Sequence, residues 1–117
     1  MFTDKDMSAV FHALAHESRR QILDILKANP GCPVGEIARR FDVSRIAVMN
    51  HLAVLEKAGL VVSEKRGRTR HLHLNAVPIR MIQERWMDGY SEQFAGRLTS
   101  LKQMAEAAVQ QKDKDNG

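Results

Sequence analysis

The 117 residues contain a single cysteine, Cys32, so no intramolecular disulfide framework holds the fold. No apolar run approaches the roughly 18 residues that a membrane-spanning helix requires. The first residues carry Asp4 and Asp6 where a secretory leader would have a basic start and then an apolar run. A cytoplasmic protein with no membrane partner is expected. There is no glycine-rich phosphate loop, no Ser/His/Asp arrangement and no pair of apolar-flanked carboxylates, which argues against an enzyme. Candidate metal ligands are equally sparse. His12 and His16 stand four apart, a spacing a metal can use, but only Asp6 and Glu17 lie near them, and a structural or capping role is the expectation. His71 and His73 share one strand face with no evident further ligand. Cys32, in a turn between Gly31 and Pro33, is read as inert. No metal and no cofactor are expected.

What the chain does have is positive charge in one place. The formal net charge is +4. Between Arg39 and His71 there are eight cations (Arg39, Arg40, Arg45, Lys57, Lys65, Arg66, Arg68 and Arg70) against three anions, a surplus of five, while the remainder of the chain has 10 cations against 11 anions. A basic region concentrated in the middle third of one domain-sized chain suggests a polyanion, with nucleic acid the first candidate and a solvated basic face the alternative.

Periodicity gives this charge a frame. Val10, Phe11 and Leu14 have helical spacing behind a cap at Ser8. A second helix is expected from Glu17 to Ala28, with Ile22, Leu23, Ile25 and Leu26 inward, Arg19 and Arg20 outside, and Asn29-Pro30-Gly31 as its stop. A short helix over Val34 to Phe41 turns through Asp42-Val43 into another over residues 44–57. Ser44 is its N-cap and Gly59 its left-handed end. Val48, Leu52 and Leu55 form its inner stripe. Its outer face offers Arg45, Ala47, Met49, Asn50 and His51, with no acid before Glu56. Two short helices across a tight turn, the second capped and presenting a polar face, read as a helix-turn-helix. A helix of that width fits the major groove of B-DNA.

After Gly59 the period changes to two. Leu60 to Arg66 is expected as a strand, Gly67-Arg68-Thr69 as a turn and Arg70 to Leu74 as the returning strand. Four cations, Lys65, Arg66, Arg68 and Arg70, crowd its tip. They repel one another unless phosphates are near, so the hairpin reads as a wing. From Asn75 a capped helix follows. Ile82, Trp86, Tyr90, Phe94, Leu98 and Leu101 recur every three or four residues, with a bend expected near Gly89. That stripe is too long for a core of this size, and a second copy is the expected cover.

The segment Ala13-Leu14-Ala15-His16-Glu17-Ser18-Arg19-Arg20-Gln21-Ile22-Leu23 resembles the opening signature of the arsenic-repressor (ArsR) family of bacterial winged-helix regulators. Residues 43–61 resemble its recognition helix and exit, and Gly67-Arg68 with Leu72 and Leu74 its wing. The likeness covers about Val10 to Leu101. It implies a dimeric transcriptional repressor that pairs through its first and last helices and leaves its operator on sensing a signal. The departures are specific. Metal-sensing members carry a Cys-x-Cys-type motif where this chain has Val34-Gly35-Glu36-Ile37-Ala38-Arg39. Others use Asp and His on the last helix, where the stretch around Glu84-Arg85-Trp86-Met87-Asp88 has no His. His16 stands where an Asp is usual, and Ala47 and Met49 replace the usual Thr and Ser.

The expected fold is therefore mostly α with a β-hairpin wing. One winged helix-turn-helix domain spans 1–110, including a dimerisation helix at about 78–110, and 111–117 form a polar tail. The expected function is a homodimeric repressor that binds a palindromic operator through the helix 44–57 and the wing 61–74. DNA contacts are assigned to Arg39, Ser44, Arg45, Ala47, Met49, Asn50, His51, Lys65, Arg66, Arg68 and Arg70. Dimer contacts are assigned to Phe11, Leu14, Ile82, Trp86, Tyr90, Phe94, Leu98 and Leu101. A small-molecule or protein effector is left open. The alternatives are a metal- or thiol-responsive repressor of the same fold and a winged-helix protein–protein module.

Overall fold

Five helices and three strands precede residue 88, and one further helix follows. They are α1 (Asp4–Leu14), α2 (Glu17–Ala28), β1 (Cys32–Pro33), α3 (Val34–Arg39), α4 (Arg45–Lys57), β2 (Val61–Arg66), β3 (Thr69–Leu74), α5 (Val77–Met87) and α6 (Glu92–Asp115). This computed structural model describes residues 1–87 and 92–115, with side chains at 1–87 and 97–109. The chain divides into two compact units, Met1–Glu84 and Arg85–Gly117.

Local chemistry sets most of the boundaries. α1 starts earlier than Ser8 because Thr3 and Asp6 form a reciprocal capping box. The Thr3 hydroxyl accepts from the Asp6 N–H at 3.1 Å and the Asp6 carboxylate accepts from the Thr3 N–H at 2.8 Å. Those bonds hold the Asp6 carboxyl below its ordinary pKa. His16 caps α2, its Nδ1 accepting from the Ser18 N–H. α3 is shorter than its apolar pattern, ending at Arg39. Ser44 caps α4 as expected, its Oγ accepting from the Ala47 N–H at 3.1 Å.

The end of α4 aims the chain into the sheet. Gly59 has φ +79°. Its N–H donates to the Glu56 carbonyl and the Leu60 N–H to the Leu55 carbonyl, both at 3.0 Å, which is the Schellman arrangement. Leu55 and Leu60, the apolar pair that accompanies it, are both fully buried. Two residues, Gly67 and Arg68, join β2 to β3, and only Gly67 has positive φ, the pattern of a type II′ turn. The sheet has a third strand that the sequence pattern did not reveal. The two-residue β1 pairs with β3, Cys32 against Leu72, giving the antiparallel order β1-β3-β2.

The core is one cluster. Val10 and Ala13 of α1, Ile22, Leu23 and Leu26 of α2, Val34 and Ile37 of α3, Val48, Leu52 and Leu55 of α4, and Leu60, Val61 and Leu72 meet in it. Cys32 is buried there too, and burial pushes its thiol pKa up. Arg19 corrects the sequence reading, since it is buried rather than outside. At the other end of the chain, α6 extends to Asp115, into the stretch 111–117 expected as a polar tail. The bend expected near Gly89 and the side chains of Tyr90 and Phe94 lie outside the described residues.

Replacing Leu55 by Ala should cost about 2–5 kcal/mol in urea unfolding, the range for a buried large-to-small change. Lys57→Ala, two residues on and exposed to water, should stay within about 0.5 kcal/mol. Equal costs for the two would contradict this account of the core.

Candidate nucleic-acid interface

The back of α4 is in the core, so its front is what the domain presents. α3, the first turns of α4 and the tip of the wing enclose a groove of about 630 Å³. Arg39, Arg45, Met49, Asn50, Arg68 and Arg70, six of the expected DNA-contact residues, line it, with Ile46 and Thr69 beside them. Ser44, the cap of α4, is not part of the lining. Ala47 is half-buried. Lys65 and Arg66 stand on the far strand of the hairpin, outside the groove lining.

The cations fall into two kinds. Arg45, Lys57, Lys65 and Arg68 make no ion pair among the described residues. Arg39 and Arg40 share Glu36 at 3.9 and 3.8 Å, and Arg66 meets Glu64 at 3.3 Å. These are exposed pairs, which contribute little and yield readily to a competing anion. The Arg66 hydrogen bond keeps the Glu64 carboxyl below its ordinary pKa. Arg70 is different. Its guanidinium donates to the Glu56 carboxylate in a short ion pair and to Ser63 Oγ at 3.1 Å. It ties β3 to the last turn of α4 and so sets the wing beside the helix.

His51 is also different from its expected role. The ring does not line the groove. It lies 4.5 Å from the His16 ring, and its Nδ1 accepts from Arg19 Nη1 at 3.4 Å. Arg19 donates further to the carbonyls of Ala13 at 2.8 Å and His12 at 3.0 Å, and Arg20 to that of Leu14 at 2.6 Å. The last carbonyls of a helix have no intrahelical donors. Here two guanidinium groups from the next helix supply them, and one of those groups also touches α4. Burial first, then the neighbouring His16 and Arg19, push the His51 imidazole below its ordinary pKa.

Sequence reasoning missed two residues of this region. Arg19 was passed over because helical spacing put it on a polar edge. The available signal was the tight corner before it, which leaves carbonyls that a long donor one turn later can reach. Ile46 was passed over because an apolar residue on a helix is ordinarily assigned to the core. The groove lining and its exposure of 74% put it outside.

Of the expected dimer contacts, Leu14 and Ile82 are partly buried and pack against the core. Phe11, Trp86, Leu98 and Leu101 are exposed, as are Met104 and Val109 farther along α6. No helix among the described residues is long and apolar enough to cross a membrane.

Known proteins share this architecture. A family model described as a helix-turn-helix domain matches residues 14–64. The transcriptional repressor SdpR of Bacillus subtilis is 33% identical over 69 residues, 59% of this chain and 76% of that protein. The transcriptional activator HlyU of Vibrio cholerae is 36% identical over 72 residues, 62% of this chain and 66% of that protein. Among solved structures, an ArsR-like transcriptional regulator from Rhodococcus sp. RHA1 is similar with a TM-score of 0.62 at 30% identity, over 88% of this chain and 93% of that one.

The His51 environment has a measurable consequence. A depressed pKa means that, as pH falls below the ordinary histidine value of about 6.5, the unfolded chain takes up a proton that the folded one refuses. Stability is then lost progressively down to the folded pKa. His51→Gln should make that decline shallower in unfolding free energies measured across this window. A decline identical to that of the unsubstituted protein would contradict the assigned environment.

Proposed function

The chain belongs to the ArsR-type helix-turn-helix transcriptional regulators, and from that premise we propose that it is a homodimeric repressor occupying a two-fold symmetric operator. The observation that carries the reading is the groove. The front of α4 is free, a wing tip stands beside it, and the unpaired Arg45 and Arg68 line the groove with Ile46, Met49 and Asn50, while its other charged residues, Arg39, Arg70 and Glu36, are held in ion pairs. The second, capped helix of a helix-turn-helix enters the major groove, with its first turns at the base edges. Arg45 is assigned to guanine O6 and N7 and Asn50 to adenine N6 and N7. Ser44, exposed at the start of α4, donates to phosphate. Lys65, Arg66 and Arg68 neutralise phosphates, and Arg39 does so from the end of α3. Such contacts fix register and carry no sequence information. Arg70 supports the wing through Glu56, and His51 supports α4 from behind, so neither is assigned a base.

Two copies pair through α1 and the C-terminal helices in this reading. Exposed Leu98 and Leu101 continue the apolar face of α6, and a symmetric dimer buries such a stripe against itself. The two reading helices would then meet major grooves about 34–36 Å apart. Repression follows from promoter occlusion, as the likeness to SdpR favours. An effector that changes the relation of the two heads would relieve it. The cytoplasm is the assigned compartment.

Labelled DNA from upstream of the gene, titrated at two salt concentrations, should bind with an affinity that falls steeply as salt rises. Arg68→Ala should weaken all sequences about equally and lower the salt slope by about one, while Arg45→Ala should cost about 1–3 kcal/mol and relax preference at one position. Binding that ignores salt, or two variants with the same pattern, would overturn the assignment. In sedimentation equilibrium the protein should be a dimer and Leu101→Asp a monomer with reduced operator affinity. A monomeric unsubstituted protein would remove the two-fold operator from the proposal.

A further inference from the structure

Ile46 is the anomaly of the reading head. Of the other branched aliphatic residues of α4, Val48, Leu52 and Leu55 are buried and Val54 is partly buried against the core, whereas Ile46 is 74% exposed. At 100° per residue it points away from Val48 and shares its line along the helix with Asn50, one turn on. Local structure gives no reason for isoleucine there, because a β-branched residue is a weaker helix former than the polar residues that usually fill a solvated face. The groove it lines also holds Arg39, Arg45, Arg68 and Arg70, and its one carboxylate, Glu36, is already shared by Arg39 and Arg40. An apolar protein partner laid on this patch would strip water from those cations and return nothing. DNA offers both chemistries at once: phosphates for the cations and, on the floor of the major groove, the C5-methyl group of thymine, the apolar feature among otherwise polar base edges.

We infer that Ile46 determines specificity by packing against a thymine methyl group in the major groove. The inference rests on the DNA-binding reading and sharpens it. Ile46 and Asn50 are separated by four residues, about 6 Å along the helix axis, or about two base-pair steps. With Asn50 on adenine, the outer line of α4 reads A·T pairs, and Arg45 at its flank reads guanine. Ala47, expected from the sequence to face DNA, is half-buried and leaves the methyl contact to its larger neighbour.

The test begins with the full-length protein and duplexes enriched from a random-sequence pool. Each thymine of the enriched half-site is replaced singly by deoxyuridine, which lacks only the methyl group. At one position the unsubstituted protein should lose about four-fold in affinity, the worth of one buried methyl-sized group. Ile46→Ala should bind the thymine and deoxyuridine duplexes alike. Its far-UV circular dichroism and melting temperature should be unchanged, because the side chain is outside the core. Asn50→Ala should bind more weakly yet keep the thymine preference. If no thymine matters, or if Ile46→Ala discriminates as the unsubstituted protein does, the inference falls while DNA binding stands. If the pool yields no enriched duplex, the DNA-binding reading falls and takes the inference with it.

Discussion

Burial of one face of α4 is the constraint on which everything else in this domain depends. Val48, Leu52 and Leu55 are held by the packed faces of α1, α2 and α3 and by Leu60 and Leu72. Each side of that face has its own lock. The Leu55–Leu60 pair and the Gly59 turn fix the exit, Arg70 on Glu56 fixes the wing, and Arg19 against His51 fixes the edge nearest α1. A helix of 13 residues is marginal alone in water. Fastened on its back and both edges, it can afford a front with almost no intramolecular partners.

That division explains how the cations are used. Like charges on a small surface destabilise it unless something compensates. Arg70 is compensated inside the domain, and its charge is converted into geometry. Arg39 and Arg66 are loosely held by exposed carboxylates that a phosphate can displace. Arg45, Lys57, Lys65 and Arg68 have no such hold among the described residues. Of these, Arg45 and Arg68 line the groove, so part of the charge that remains to be neutralised lies beside the front of α4.

Arg19 gives the corner between α1 and α2 a second meaning. Its guanidinium closes the C-terminal end of α1 and touches the recognition helix through His51. In a dimer that pairs through α1, this is a direct physical connection between the pairing element and the reading element, made of hydrogen bonds with buried or half-buried partners.

Local signals in the sequence settled the parts of the fold that local chemistry governs. Ser44 had to cap, Gly59 had to take positive φ, Gly67 had to turn the hairpin, and the spacing of Val48, Leu52 and Leu55 had to face inward, because each depends on residues within a turn of itself. The helix-turn-helix, the wing and the basic surface were legible for that reason. Three things were decided only by tertiary structure. β1 became a strand because two residues after Gly31 met the free edge of β3, and no periodicity exists in two residues. Arg19 and His51 turned inward because carbonyls at a helix corner and a neighbouring ring needed partners from elsewhere in the chain. Ile46 stayed outside because the core had already been filled by the stripe on the opposite face of its own helix.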